Sequence, residues 1–211
     1  MRLYLVIALG VLLVFLIGRS TVTGRAARIS IALVGSLVLG LGYLEWDFGA
    51  SQSLLSNATR GISSTSTGVD CQRFGSTWTY AGAELGHVMF DEDGKPDSTA
   101  FISYETCNNL IAYLRSDRSN PTRDQIVAVH VVSHEANHLL GELSESTTEC
   151  RAMQDDLMTA RRLGATMTQA RKLALAYWIS VYPDMPDAYT TKDCREGGPL
   201  DKTPLDHIWP S

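Results

Sequence analysis

The stretch Val131-Val132-Ser133-His134-Glu135-Ala136-Asn137-His138-Leu139-Leu140-Gly141 decides how the rest of the chain is read. Apolar pairs stand on both sides of the polar residues, Ala136 and Asn137 between them are uncharged, and no proline interrupts the run. The pattern predicts a helix that starts near Asn120-Pro121, with a capping residue followed by proline at the first helical position. It ends at Gly141, a natural residue for a helix C-terminus. His134 and His138, four apart, then project from one face, roughly 6 Å from each other.

That spacing lets two imidazoles converge on one zinc ion at about 2.0–2.1 Å each. Glu135 can reach the open side of such an ion and take a proton from bound water, whose pKa zinc lowers to about 7. This is the physical content of the HExxH pattern. A polar triad set among buried apolar positions matches a catalytic helix inside a domain. The alternative is a pair of core or surface histidines on an ordinary stable helix. His130 continues the stripe one turn earlier. It would sit roughly 12 Å along the axis from His138, too far for three stacked imidazoles to share one ion. It is therefore expected as a packed residue or an outer partner of a ligand.

The segment Val131 to Gln154, VVSHEANHLLGELSESTTECRAMQ, resembles the gluzincin type of zinc peptidase. In that type a glutamate on the following helix completes the metal site, and the matching residue is Glu149, in Thr148-Glu149-Cys150-Arg151-Ala152. The resemblance implies a zincin-like helical core and an upstream strand lying along the substrate, a role open to Glu84–Phe90 or Thr99–Ser103. The metzincin pattern is departed from, because Ser144 occupies the place of that family's third histidine although Gly141 matches its glycine. The expected metal ligands are thus His134, His138 and Glu149, with Glu135 as catalytic base. Glu142 and Glu145 fall in the turn just past Gly141, where the chain is expected still to be leaving the helix. Glu149 could instead close a capping box with Ser146.

Two unlike parts make up the chain of 211 residues. Up to Leu44 the only charges are Arg2, Arg19, Arg25 and Arg28; the remainder holds 14 basic and all 23 acidic residues, a net charge of −9. So acidic a domain argues against nucleic acid as a partner, which needs clustered Lys and Arg, and against gripping an anionic lipid surface. Leu3–Gly18 and Ile29–Leu44 are uncharged apolar runs, expected to form a transmembrane hairpin over residues 1–48. The Arg19–Arg28 connector holds three Arg and no acid, so the positive-inside rule puts it in the cytoplasm and exports the C-terminal domain. A cleaved signal peptide and buried core helices are the other ways to read these runs.

Residues 49–70, rich in Ser, Thr, Gly and Asn, are expected as a linker, and 71–211 as the extracytoplasmic domain. Ser76–Ala81, Glu84–Phe90 and Thr99–Ser103 are predicted strands of a small antiparallel sheet, with Asp91–Pro96 as a hairpin turn. Helices are predicted after Ser103 with Cys107, Leu110, Ile111 and Leu114 inward, over Ser146–Leu163, and over Thr168–Tyr182 before Pro183. The tail from Asp184 reads as an irregular wrap held by Cys194 and Trp209. The class is α+β. Cys71, Cys107, Cys150 and Cys194 form no CxxC pair, and an exported domain favours disulfides. Cys71–Cys107 with Cys150–Cys194 is the preferred one of three pairings. His87, His207, Tyr177 and Tyr182 are candidates for oxyanion stabilisation without an assigned role. Asp155 and Asp156, about two turns beyond Glu149, are expected on a solvated helix face, with a contact to the back of a metal ligand as the alternative. The expected chemistry is zinc-assisted hydrolysis of a peptide bond in a peptide or protein substrate, with the lipid bilayer as the anchor's partner. The rivals are a non-catalytic, zinc-stabilised interaction module and a hydrolase of non-peptide amides.

Overall fold

Twelve consecutive residues, Ala128 to Leu139, are buried, so the helix carrying the histidines is wrapped on all sides. The computed structural model describes residues 2–23, 28–63, 67–73 and 85–210. In chain order these form α1 (Arg2–Thr23), α2 (Arg28–Ser63), β1 (Gly68–Cys71), β2 (Gly86–Phe90), β3 (Pro96–Ile102), α3 (Tyr104–Arg115), α4 (Arg123–His138), α5 (Glu145–Arg162) and α6 (Met167–Ser180). The class is mixed α+β, in two units, Met1–Ser51 and Gln52–Ser211.

In the first unit, α1 and the start of α2 are long and apolar enough to cross a membrane. The apolar stretch Tyr4–Val22 runs 19 residues, beyond the expected end at Gly18, because Arg19 to Thr23 of the supposed connector is still helical. At 1.5 Å per residue this reaches about 28 Å, close to the hydrocarbon thickness. Residues 24–27 of the connector lie outside the described residues.

The expected linker at 49–70 is corrected in the second unit. α2 continues to Ser63, and β1 begins at Gly68. Leu55, Ala58, Thr59 and Ser63 are buried at helical spacing. Small and hydroxyl-bearing side chains at three of these four positions hid the period in a Ser/Thr-rich composition. The polar side of this helix covers β1: the Gln52 amide donates to the Val69 carbonyl at 3.1 Å, Ser56 Oγ accepts from Val69 N–H at 3.0 Å, and Arg60 Nε donates to the Thr67 carbonyl at 2.8 Å. β1, an edge of the sheet among the described residues, is thereby covered by side chains.

The sheet has the order β1-β3-β2 and is mixed, not antiparallel. β1 runs parallel to β3 (Val69 opposite Ala100), whereas β2 and β3 form the expected hairpin around the Asp91–Lys95 turn. β1 escaped prediction because its four residues carry a single aliphatic side chain, Val69, which with Cys71 faces inward. Of the predicted strands, Ser76–Ala81 lies outside the described residues.

Capping residues fix the helix boundaries. Ser103 caps α3, Thr122 and Thr166 form capping boxes with Gln125 and Gln169 on α4 and α6, and Ser144 caps α5. α4 therefore starts two residues after Pro121, and Ser146 is not the cap of α5. Cys107 and Leu110 of α3 are buried as expected, whereas Ile111 and Leu114 are half-buried and Tyr113 takes the inner position. Gly141 and Gly164, both at φ +92°, close α4 and α5 in the left-handed conformation that a glycine adopts without strain. Both cysteine pairs are at disulfide distance in the preferred pairing, with Cα separations of 5.9 Å for Cys71–Cys107 and 5.5 Å for Cys150–Cys194. The tail is held as an irregular wrap by Cys194, by Trp209 edge-on against Trp178, and by Gln154, whose amide bonds the Leu200 carbonyl and Lys202 N–H.

Candidate metal centre

α4 and α5 meet along a seam of histidines against carboxylates. His138 and His134 face Glu145, His134 and His130 face Glu149, and His130 also meets Asp156. Numbers fall on one helix as they rise on the other, so the two run in opposite directions, and spacings near four keep each set on one stripe.

At the outer end of the seam His134 Nε2 and His138 Nε2 are 3.1 Å apart, and Glu145 Oε2 lies 3.1 Å from the first and 3.5 Å from the second. Ligand atoms at zinc distances on a tetrahedron are about 3.3–3.4 Å from one another, so these three atoms fit one face of such a centre. Each ring is fixed from behind. His138 Nδ1 donates to the Glu142 carbonyl at 2.7 Å, and His134 Nδ1 is 3.0 Å from Glu149 Oε2. With Nδ1 carrying the proton, both Nε2 lone pairs are directed into the same space, where only a cation, a shared proton or a metal ion, can settle them. The donor set of two imidazoles and a carboxylate suits zinc.

The turn after α4 makes this possible. Gly141 N–H bonds the His138 carbonyl at 2.8 Å, Glu142 N–H reaches back to Asn137, and the reversed chain places the Glu142 carbonyl on His138. Three residues later α5 begins, with Glu145 at its first position. Gly141, in the left-handed conformation, begins a turn that brings Glu145 back to the histidines, where the chain was expected still to be leaving the helix. Glu149, the expected ligand, comes instead to the Nδ1 side of His134, where it accepts from His130 Nε2 at 3.0 Å and from the Tyr177 hydroxyl at 2.5 Å. His130, His134 and Glu149 form a second, fully buried group whose donor atoms are also close enough for a metal.

Burial and charge tune these groups. Burial works against an imidazolium at His130, but Glu149 and Asp156 overcome it and raise its pKa to about 10. Burial opposes protonation of His134 as well, yet hydrogen bonds to Glu145 and Glu149 lift it to about 8. His138 is pushed down, chiefly by burial. Glu149 is costly to bury, but His130, His134 and Tyr177 hold it well below the usual carboxylate range.

Glu135 is buried against β2: a Cβ added at Gly86 would stand 2.8 Å from its Oε1 and 3.0 Å from its Cγ. β2 is an edge of the sheet among the described residues, and its Phe90 ring sits edge-on 6.1 Å from His138. Tyr189, in a short 3-10 turn of the tail (Asp187–Tyr189), lies 6.0 Å from the His134 ring. Nothing in the irregular tail sequence pointed to it.

The other candidates fall elsewhere. His87 stacks on Phe101 across the sheet, His207 is exposed beside Glu196, and the Tyr182 hydroxyl accepts from Thr191 N–H. Asp156 is fully buried on His130, which corrects the expected solvated face, while Asp155 bonds Asn137 and Lys202. Compared with known protein families, curated proteins and solved structures, the chain matches none.

Proposed function

We propose that this chain is a membrane-anchored, zinc-dependent peptidase with an extracytoplasmic catalytic domain, its metal held by His134, His138 and Glu145 and its general base Glu135. The observation that carries the reading is the convergence of His134 Nε2, His138 Nε2 and Glu145 Oε2 within 3.1–3.5 Å, with each imidazole fixed through Nδ1. Glu149, the glutamate that matched the gluzincin pattern, is assigned as a partner of His134 rather than as a ligand. Two helices long and apolar enough to span a bilayer support the anchor, and two disulfides are compatible with an exported domain.

Zinc, when bound, supplies Lewis acidity toward a carbonyl and a water acidic enough to lose its proton near neutral pH. The chain's own residues do the rest. Glu135, next in sequence to a ligand, takes a proton from the attacking water on its carboxylate and delivers it to the departing amine nitrogen. Glu135 is buried beside β2, where Gly86 leaves room for its side chain. β2 is an edge of the sheet among the described residues, and an extended substrate segment lying along it would continue the sheet.

The test is metal analysis of the detergent-solubilised full chain, followed by peptide-library cleavage. One zinc per chain and cleavage that vanishes in Glu135→Gln, with metal retained, is the expected result. Glu145→Gln should purify with little zinc, while Glu142→Gln keeps it. A zinc-loaded chain that cleaves no peptide would leave a metal-stabilised interaction module instead.

A further inference from the structure

Behind the outer histidine pair lies a line of buried polar side chains that the hydrolytic chemistry does not use. Asp156, Glu149, Tyr177 and His130 are 0, 1, 1 and 3 % exposed. Asp156 Oδ2 is 2.9 Å from His130 Nδ1, and His130 Nε2 is 3.0 Å from Glu149 Oε2. Glu149 Oε2 is in turn 3.0 Å from His134 Nδ1, while its Oε1 accepts from the Tyr177 hydroxyl. The Tyr177 ring stacks on His130 with centroids 3.7 Å apart.

We propose that Asp156, His130, Tyr177 and Glu149 form a positioning relay whose single output is the orientation of His134. The relay rests on the zinc reading above and extends it to four residues outside the ligand set proposed there. Buried charges of this kind are costly, and apolar residues of the same volume would hold the helices together at least as well. The line is also directional, since it terminates on the one nitrogen of His134 that faces away from the outer site. A carboxylate on Nδ1–H fixes the ring's tautomer and plane and makes Nε2 a stronger donor.

The inner group of His130, His134 and Glu149 has a donor set that could itself take a metal ion. It repeats the outer one a single helical turn along the seam: His138 maps to His134, His134 to His130, and Glu145 to Glu149. Two features separate the copies. Asp156 backs His130 and the Tyr177 hydroxyl donates to Glu149, so both partners of His134 in the inner copy are held by a further buried polar side chain. Glu145, by contrast, keeps a side chain 42 % exposed, and its copy opens toward solvent.

The experiment uses the full chain loaded with cobalt(II), in which Nδ1–H protons of ligating imidazoles give strongly shifted, solvent-exchangeable proton resonances. Two are expected, from His134 and His138. Glu149→Ala should accelerate exchange of one of them and weaken metal affinity about 10–100-fold. The other, held by the Glu142 carbonyl, should not change. Tyr177→Phe, which keeps the stacked ring, should move the same resonance in the same direction by less, and it serves should Glu149→Ala fail to fold. If neither substitution alters exchange or affinity, the relay is only packing. If Glu149→Ala loses the metal outright while Glu145→Gln retains it, Glu149 is a ligand and the proposal is overturned. Absence of both resonances from the wild-type protein would instead sink the bis-histidine site, and the relay with it.

Discussion

Gly86→Ala places one methyl group where the structure has no room for it. The added carbon would stand 2.8 Å from Glu135 Oε1, 3.0 Å from Glu135 Cγ and 3.0 Å from Val131 Cγ1. Carbon atoms rest about 3.5–4.0 Å apart, so each carbon contact is short by about 0.5–1 Å. Val131 is buried in the middle of α4 and cannot swing away. The Glu135 side chain is the most mobile of the neighbours, so relief comes from its displacement together with a small outward shift of β2. Overpacking of this kind costs about 1–3 kcal/mol of stability. A base moved by about 1 Å loses on the order of a hundredfold in rate. We therefore expect Gly86→Ala to retain zinc, to unfold at modestly lower denaturant, and to cleave a peptide about 100-fold more slowly with little change in KM. Denaturant titration and steady-state kinetics on the detergent-solubilised chain measure both. Wild-type kcat together with wild-type stability would show that β2 and Glu135 are not packed as described, and the assignment of the base would lose its geometric support.

Zinc and protons should compete for His134. Its pKa in the metal-free fold is raised to about 8, so below that pH a proton must leave before Nε2 can bind metal, and apparent affinity should fall about tenfold per pH unit from 8 downward. Calorimetry in buffers of different ionisation heat reads the protons released, and pH-independent affinity would contradict the site. All four cysteines are expected to be oxidised, each bond closing a loop that the chain-entropy model values at about 4 kcal/mol. Thiol titration of the unfolded, unreduced protein that finds four free sulfhydryls would refute this. Labelling of single cysteines in intact cells, on a chain whose native cysteines are paired, should modify a probe in the acidic domain and spare one at Thr23; the reverse pattern overturns the topology.

The helical half of the fold was legible because its signals are local. Gly141 and Gly164 close helices as expected, and although Thr122 and Ser144 are the caps where Asn120 and Ser146 were expected, boundaries moved by only a few residues. Residues 49–63 misled, because a helix buried through Ala58, Thr59 and Ser63 shows little hydrophobic contrast. β1 misled because a four-residue strand gains its identity from the partner β3 and from Gln52 and Ser56 beside it. At the candidate site, the shared face of His134 and His138 follows from helix periodicity. The choice between Glu145 and Glu149 depends on how sharply the chain turns at Gly141, and intervals in sequence do not encode angles. Asp156 looked solvated because its neighbour Asp155 is also acidic; only the packing of α5 on α4 shows that one faces His130 and the other Asn137.

Cys150 follows Glu149 directly, is fully buried, and is joined to Cys194. A thiolate is a softer and stronger zinc donor than a carboxylate, and a reduced chain would offer four of them within the same domain as the histidines. Pairing the sulfurs edits the inventory of donors before selection begins: what remains is nitrogen and oxygen, arranged by two helices. The sequence of events during maturation then matters. A chain oxidised first can present a metal with nitrogen and oxygen donors alone, whereas one that meets zinc while still reduced can trap it on sulfur, away from the histidine seam, and hold Cys194 from its partner.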